Sequence, residues 1–341
     1  MYELLEKLIH VPGIPGYEHK VRELIAQSLP EGVETATDNM GNLIATIGNG
    51  DNAILFAAHM DELGFVITEV RDDGFLKIKP LGGTDPRTVF GRVLRIITET
   101  GEIKGAIGVK PPHLMTERDK DMNEIVKITD MVVDIGATDK AEAEKLGVGI
   151  LDFAVIEKPF HILNEKFLCA RALDDRLGCF IQIEAIKRLQ KEKLSGKAHF
   201  AFTVQEEVGL RGATLIGRTH KLDMAFAIDS ASSGDIPQAR IDLGPAKLGK
   251  GAALRVLDNR VIIPPAFTKE IYAVAQEADI PCQIVFTGGG TDVAPIQTEG
   301  PRVIPLAFPL RYTHSAVEMV HADDVESITR LVCTIVKKYV G

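Results

Sequence analysis

The 341 residues include no tryptophan and only four cysteines, Cys169, Cys179, Cys282 and Cys333. The cysteines form no CxxC pair and no Cys/His cluster, so they read as buried free thiols, the state expected in a reducing cytoplasm. Long apolar runs are missing too. None approaches the roughly 18 residues that a membrane span needs. Positive charge is in deficit, with 39 Lys and Arg against 48 Asp and Glu for a net charge of -9. No basic stripe is interleaved with aromatics. Nucleic acid and anionic membranes are therefore excluded as main partners. The N-terminal residues 1–9 carry acids every few positions, which marks an amphipathic helix and not a signal peptide.

The chain is long enough for a large core and for two domains. Helical spacing marks residues 4–9 and 21–29, with Pro12-Gly13 and Pro15-Gly16 between them. Residues 42–47 and 53–58 read as strands. After Gly64 the texture changes to short β-like runs separated by turn signals such as Asp73-Gly74, Gly82-Gly83 and Lys110-Pro111-Pro112. Only residues 140–146 look helical there. Past Ala170 the alternation of helix and strand resumes: helices over 177–189, 212–217, 265–278 and 322–339, strands over 198–204, 224–228 and 281–286. The expected organisation is one discontinuous α/β domain, residues 1–64 and 165–341, holding a β-rich insert at 65–164.

Chemistry-bearing residues collect at the element ends. The apolar strand before Val204 runs into Glu206-Glu207 and Gly209, and strand ends that open into glycine loops are where α/β enzymes keep their chemistry. Adjacent carboxylates point differently, so one can hold a metal while the other faces a water. They also suit poorly a glycosidase pair facing each other across a sugar. His59-Met60-Asp61 follows another strand, and Asp61 is placed to accept a hydrogen bond from the far nitrogen of His59. Asp174-Asp175 precedes a helix, either as a simple N-terminal cap or with Asp174 bridging two metals and Asp175 supporting it. Arg171 and Arg176 flank that pair. Asp229 ends the strand over 224–228 as a cap or a ligand. His314 precedes an irregular stretch, whereas His10, His19, His113, His161, His199, His220 and His321 read as bystanders, His321 at the start of the last helix. Gly288-Gly289-Gly290-Thr291-Asp292 lacks the ending of a P-loop and reads as a tight loop near the substrate.

The order of these elements resembles the M42 family of metallo-aminopeptidases, which includes glutamyl and deblocking aminopeptidases and the tetrahedral archaeal peptidases. The resemblance runs through residues 12–18, 57–65, 171–176, 205–209, 288–292 and 311–315, with no departure at a motif position. It implies a phosphorylase/hydrolase-like three-layer α/β core with an inserted, PDZ-like β domain for dimerisation. It also implies two divalent ions, zinc, cobalt or manganese. Asp174 would bridge them, His59 and Asp229 would complete one site, and Glu207 and His314 the other. Glu206 would be the general base acting on a metal-bridged water, with Asp61 in support. A cis peptide is expected between Asp174 and Asp175. The implied reaction is removal of N-terminal residues from peptides by a cytoplasmic homo-oligomer, a dimer or a dodecamer. Rival readings are a metal-dependent N-acyl amino acid deacylase and a non-catalytic scaffold. Sequence leaves the preferred N-terminal residue open, with Lys247-Leu248-Gly249-Lys250 as one basic run that would attract acidic side chains.

Overall fold

Strand Ala53–His59 is buried along its whole length and lies between two parallel neighbours, Lys197–Thr203 and Met224–Ser232. A strand covered on both faces reads as a continuous apolar run, not an alternating one. Three phenylalanines mark the register. Phe56 sits opposite Phe200 on one side and Phe226 on the other, with ring centroids 5.3 and 5.0 Å apart in stacked pairs. His59, Thr203 and Asp229 each follow their phenylalanine at the same spacing. The register pairs Thr203 with His59, whereas the pairing with Met224–Ser232 ends two residues before Asp229, at Ala227 opposite Ala57.

The computed structural model describes residues 2–237, 239, 242 and 244–341, the side chain of Asp121 apart. Met1, Gln238, Arg240, Ile241 and Leu243, which the expected helix and domain boundaries include, lie outside them. The fold is mixed α/β, with three sheets among the described residues. In the largest, the order is Glu34–Thr37, Leu43–Gly48, Lys197–Thr203, Ala53–His59, Met224–Ser232, Leu306–Leu310, Ala252–Leu257 and Cys282–Phe286, with Arg302–Val303 pairing Met224–Ser232 off this path. Glu34–Thr37, Ala252–Leu257 and Leu306–Leu310 were not expected as strands. Glu34–Thr37 is exposed throughout and carries no burial pattern. The strand from Met224 runs on to Ser232, so Asp229 lies inside it and not at its end. At that point the strand has left Ala53–His59 and pairs Leu306–Leu310 instead.

Helix Leu173–Leu189 begins four residues before its expected start and buries nearly every side chain. It packs on Ala53–His59, Met224–Ser232 and the last helix, Ala322–Val340. That last helix opens with His321 Nδ1 accepting the N–H of Asp323 at 3.1 Å. Asp323 and Asp324 lie in its first turn and Lys337 and Lys338 in its last, matching the helix dipole.

The chain divides into two compact units, residues 1–62, 160–313 and 317–341 in one, 63–159 and 314–316 in the other. The smaller has a six-stranded antiparallel sheet, in the order Gly101–Ile107, Arg92–Thr98, Phe153–Ile156, Gly64–Val70, Leu76–Leu81, Val132–Val133. It has its own core, including Phe65, Leu76, Leu94 and Val133. Two short helices occur in it. Lys140–Lys145 is capped by Asp139, whereas Arg118–Asn123 was not expected because its sequence is almost wholly polar. All four cysteines are free, Cys169 and Cys179 buried and Cys282 and Cys333 half-buried. Among the described residues no helix is long and apolar enough to cross a membrane.

Candidate metal centre

In the larger unit, His59, Asp174 and Glu207 offer ligand atoms that all lie within 4.8 Å of one another, and so do Asp174, Asp175 and Asp229. Asp174 is common to both groups. The resemblance paired His59 with Asp229, whereas here His59 groups with Glu207. The fifth expected ligand, His314, belongs to the smaller unit, where its Nδ1 is 3.2 Å from the carbonyl of Gly83.

Local backbone explains how neighbouring acids are made to diverge. Ala172 and Gln205 both have left-handed φ, 54° and 56°. Such conformations, rare for residues other than glycine, gather at functional sites. Asp174 and Asp175 have non-helical dihedrals within the first turn, and the peptide bond between them is cis, as expected. Asp175 turns back: its carboxylate accepts the backbone N–H of His59 at 3.0 Å and that of Gly178 at 3.1 Å. Asp174 faces the centre, with Oδ1 3.1 Å from His59 Nε2 and Oδ2 accepting the Ser230 hydroxyl at 2.8 Å.

Asp61 does more than the part read in sequence. His59 Nδ1 lies 3.0 Å from the Asp61 backbone carbonyl and 3.5 Å from its carboxylate. The carboxylate also accepts the backbone N–H groups of Glu206 and Glu207, both at 3.0 Å. The strand ends at His59, so strand alternation does not fix where the Asp61 side chain lies. One buried carboxylate thus fixes both glutamates. Glu206 Oε2 comes to 4.0 Å from His59 Nε2.

The electrostatics describe a site crowded with negative charge. Burial pushes Asp175 and Glu206 well above the usual carboxylate range, and nearby acids push the same way. Burial, reinforced by Asp174, raises Asp229 to about 7, and burial raises Asp292 to about 6. Burial alone would lower His59, but hydrogen bonds with Asp174 and Asp61 and the charge of Glu206 outweigh it and hold the imidazole well above its ordinary value. Each shift resists a pile-up of like charges in a low dielectric. A hard cation relieves that directly, so the O- and N-donor set fits divalent ions such as zinc or manganese.

Sequence reading missed several supporting residues. Glu62 receives both Arg171 and Arg176. The fully buried Arg176 also donates to the carbonyls of Leu8, Val11 and Gly13, at 2.6, 2.8 and 3.2 Å. Burial lowers the two guanidiniums to about 9 and about 10. Glu18 accepts the N–H of Gln205 at 3.0 Å, Glu318 that of Asp174 at 3.1 Å, and Asp292 accepts the Thr203 hydroxyl at 2.5 Å. The only signal for Glu62 was its place beside Asp61. For Glu318 there was none, since its partner is 144 positions away. A cavity of about 280 Å³ is lined by Glu206, Gly209, Leu210, Asn259, Arg260 and the glycines 289 and 290, which places the glycine-rich loop beside Glu206.

A mixed α/β fold that gathers an imidazole and several buried carboxylates around adjoining strands is that of a metal-dependent hydrolase. The chain belongs to the M42 glutamyl aminopeptidase family, whose model matches residues 41–331; it is thus a hydrolase with aminopeptidase function, and membership implies a divalent metal. It is 33% identical over 336 residues to the lysyl aminopeptidase of Pyrococcus furiosus, covering 97% of this chain and 95% of that one. Among solved structures it is similar to the TET1 peptidase of Pyrococcus horikoshii, with 42% identity, a TM-score of 0.91 and 98% of each chain covered. It is also similar to a TET aminopeptidase from a marine-sediment archaeon, Thaumarchaeota archaeon SCGC AB-539-E09, with 33% identity, a TM-score of 0.94 and coverage of 98% of this chain and 96% of that one.

Proposed function

We propose that the protein is a two-metal aminopeptidase in which Glu206 is the general base. The observation that carries the reading is Asp174, shared between two groups of ligand atoms, with Glu206 beside them on a backbone held by Asp61. His59, Asp174, Glu207, Asp229 and His314 would hold the ions. Contact of His314 Nδ1 with a backbone carbonyl supports its place in that set, because it leaves Nε2 as the ligating nitrogen. Zinc, cobalt or manganese bound there would lower the pKa of a water and polarise the scissile carbonyl. Glu206 takes a proton from that water and returns it to the leaving amine. Burial raises its proton affinity, which helps it hold the proton between the two halves of the transfer. The surrounding carboxylates favour the free α-ammonium of a peptide and disfavour an acylated one.

The larger unit would be the catalytic domain, a phosphorylase/hydrolase-like three-layer core, and the insert a PDZ-like dimerisation domain. Pyrococcus horikoshii TET1 can assemble into a tetrahedron or a large octahedral shell, which supports a homo-oligomer here, with a dimer as building block and a dodecamer as its assembled form. The free thiols support a cytoplasmic setting.

Glu206→Gln is expected to keep its metal content and lose about 10²–10⁴-fold in kcat, the usual share of a general base, whereas Glu207→Gln loses metal occupancy. Kinetics on aminoacyl-p-nitroanilides with elemental analysis reads both. Equal metal loss in the two variants, or turnover of N-acetyl amino acids in preference to free N-termini, refutes the proposal.

A further inference from the structure

Family membership leaves the choice of N-terminal residue open: the family is described for glutamate, the Pyrococcus furiosus relative for lysine. We infer that Arg260 binds a carboxylate of the peptide substrate in the cavity beside Glu206, an inference that rests on the aminopeptidase reading above.

The cavity is lined by Glu206 on one side and by Asn259, Arg260 and the glycine loop on the other. The loop carrying Arg260 is fixed in place. Asp258, buried, accepts the N–H groups of Arg260 and Val261 at 2.7 and 2.8 Å and pairs with Arg255 at 3.1 Å. Arg255 in turn donates to the carbonyls of Gly288 and Ser230, at 2.7 and 3.3 Å. Asn259 donates to the carbonyl of Gly289 at 3.0 Å. Loop, glycine turn and the residue after Asp229 thus form one hydrogen-bonded frame. Gly290 gives the arginine its path: a Cβ there would lie 2.6 Å from Arg260 Cγ. In the glycine-rich run, which matched no phosphate loop, Gly290 makes room for that crossing side chain and Gly289 takes a left-handed φ of 82°.

The other charged residue lining the cavity is Glu206, and among the described residues the Arg260 guanidinium has no acidic partner. A planar fork of donors held open beside the reacting centre matches a carboxylate that arrives with the substrate. Lys247 and Lys250, the basic run suspected from sequence, precede strand Ala252–Leu257, whereas Arg260 follows it. Lys247 is engaged through its backbone with Gln283, and neither lysine lines the cavity. The carboxylate has two sources, the side chain of an N-terminal Asp or Glu or the C-terminus of a short peptide.

Steady-state kinetics on Glu- against Leu-p-nitroanilide, and on Ala-Ala against Ala-Ala-amide, separates them. Replacing Arg260 with leucine is expected to cut the kcat/KM ratio of one pair about ten- to hundred-fold, the share of a hydrogen bond to a charged group. The loss should fall on KM. Arg260→Lys should restore part of it, and Gly290→Ala should reproduce it with the guanidinium present but displaced. A fall in the first ratio assigns the N-terminal side chain, a fall in the second the C-terminus. Both ratios holding within about twofold overturns the inference. Should the wild type hydrolyse no peptide, the aminopeptidase reading falls, and calorimetry on the intact protein still decides this one. Tighter binding of glutamic acid α-amide than of norleucinamide, or of glycylglycine than of its amide, lost in Arg260→Leu, upholds it. Equal affinities in both pairs overturn it.

Discussion

Asp61→Asn tests the most specific feature of the centre. The wild-type carboxylate is fully buried and accepts two backbone N–H groups, those of Glu206 and Glu207, each at 3.0 Å. These two N–H groups use different carboxylate oxygens, and an amide keeps an oxygen at only one of the two positions. Its NH₂ then faces the second N–H, donor against donor, in a site closed to water. A hydrogen bond to a charged group contributes roughly 1.5–3 kcal/mol. One such bond is lost and the other becomes neutral, so the backbone carrying both glutamates is loosened by about 2–4 kcal/mol. Expressed in the alignment of Glu206, that is a fall in kcat of about 30- to several-hundred-fold. His59 should keep its orientation, because its closer contact is with the Asp61 backbone carbonyl, at 3.0 Å. Two measurements check this: kcat and KM on an aminoacyl-p-nitroanilide at saturating metal, and metal content after dialysis. An Asn variant with kcat within about threefold of wild type at saturating metal would refute the reasoning.

Gly178→Ala should be destabilising by about 1–3 kcal/mol or more, because the new Cβ would sit 2.4 Å from Asp175 Oδ1 and 2.7 Å from the backbone oxygen of Ile228; thermal unfolding reads it, and an unchanged Tm would contradict it. His199 gives the pH dependence. Burial, then the charges of His220 and Lys197, lowers its imidazole to about 4, against about 6.5 unfolded. Between these values the unfolded chain binds a proton that the native state does not, so stability is fully present above about pH 6.5 and falls as the pH drops through 4, by about 2 kcal/mol for a half-buried group. His199→Gln, placed to keep the contact now made with Thr46 at 2.9 Å, should flatten that part of the acid limb in urea titrations; a slope equal to wild type would count against it.

What could be read in the sequence was local. The runs before His59 and Val204 are apolar because their strands are buried on both faces, and buried strands announce themselves without reference to the rest of the chain. The carboxylates stood out for the same reason, as charges beside apolar runs. Contacts at long range did not. Glu318 reaches Asp174 across 144 positions with nothing nearby in sequence to mark it, and Asp292, noted only as the end of the glycine-rich loop, reaches Thr203 across 89. Strand Glu34–Thr37, exposed at every position, is held by its neighbour and has no pattern of its own. The period-2 argument put His59 and Asp61 together but missed the closer contact, that of His59 with the Asp61 carbonyl, since it assumed that the strand continues beyond His59. Arg260 lay outside every motif, because a residue exposed in a short loop gains meaning only from the cavity it borders.

The buried guanidinium of Arg176 has a further consequence. It collects three carbonyls from residues 8–13 while its sequence neighbour Asp175 grips the end of the central strand. Peeling the first helix away would strand a cation in an apolar interior, so the segment should not fray independently, as chain termini ordinarily do. Residues 8–13, the turn at Asp174 and the strand end at His59 would open together or not at all, a single cooperative block with one shared rate of amide exchange.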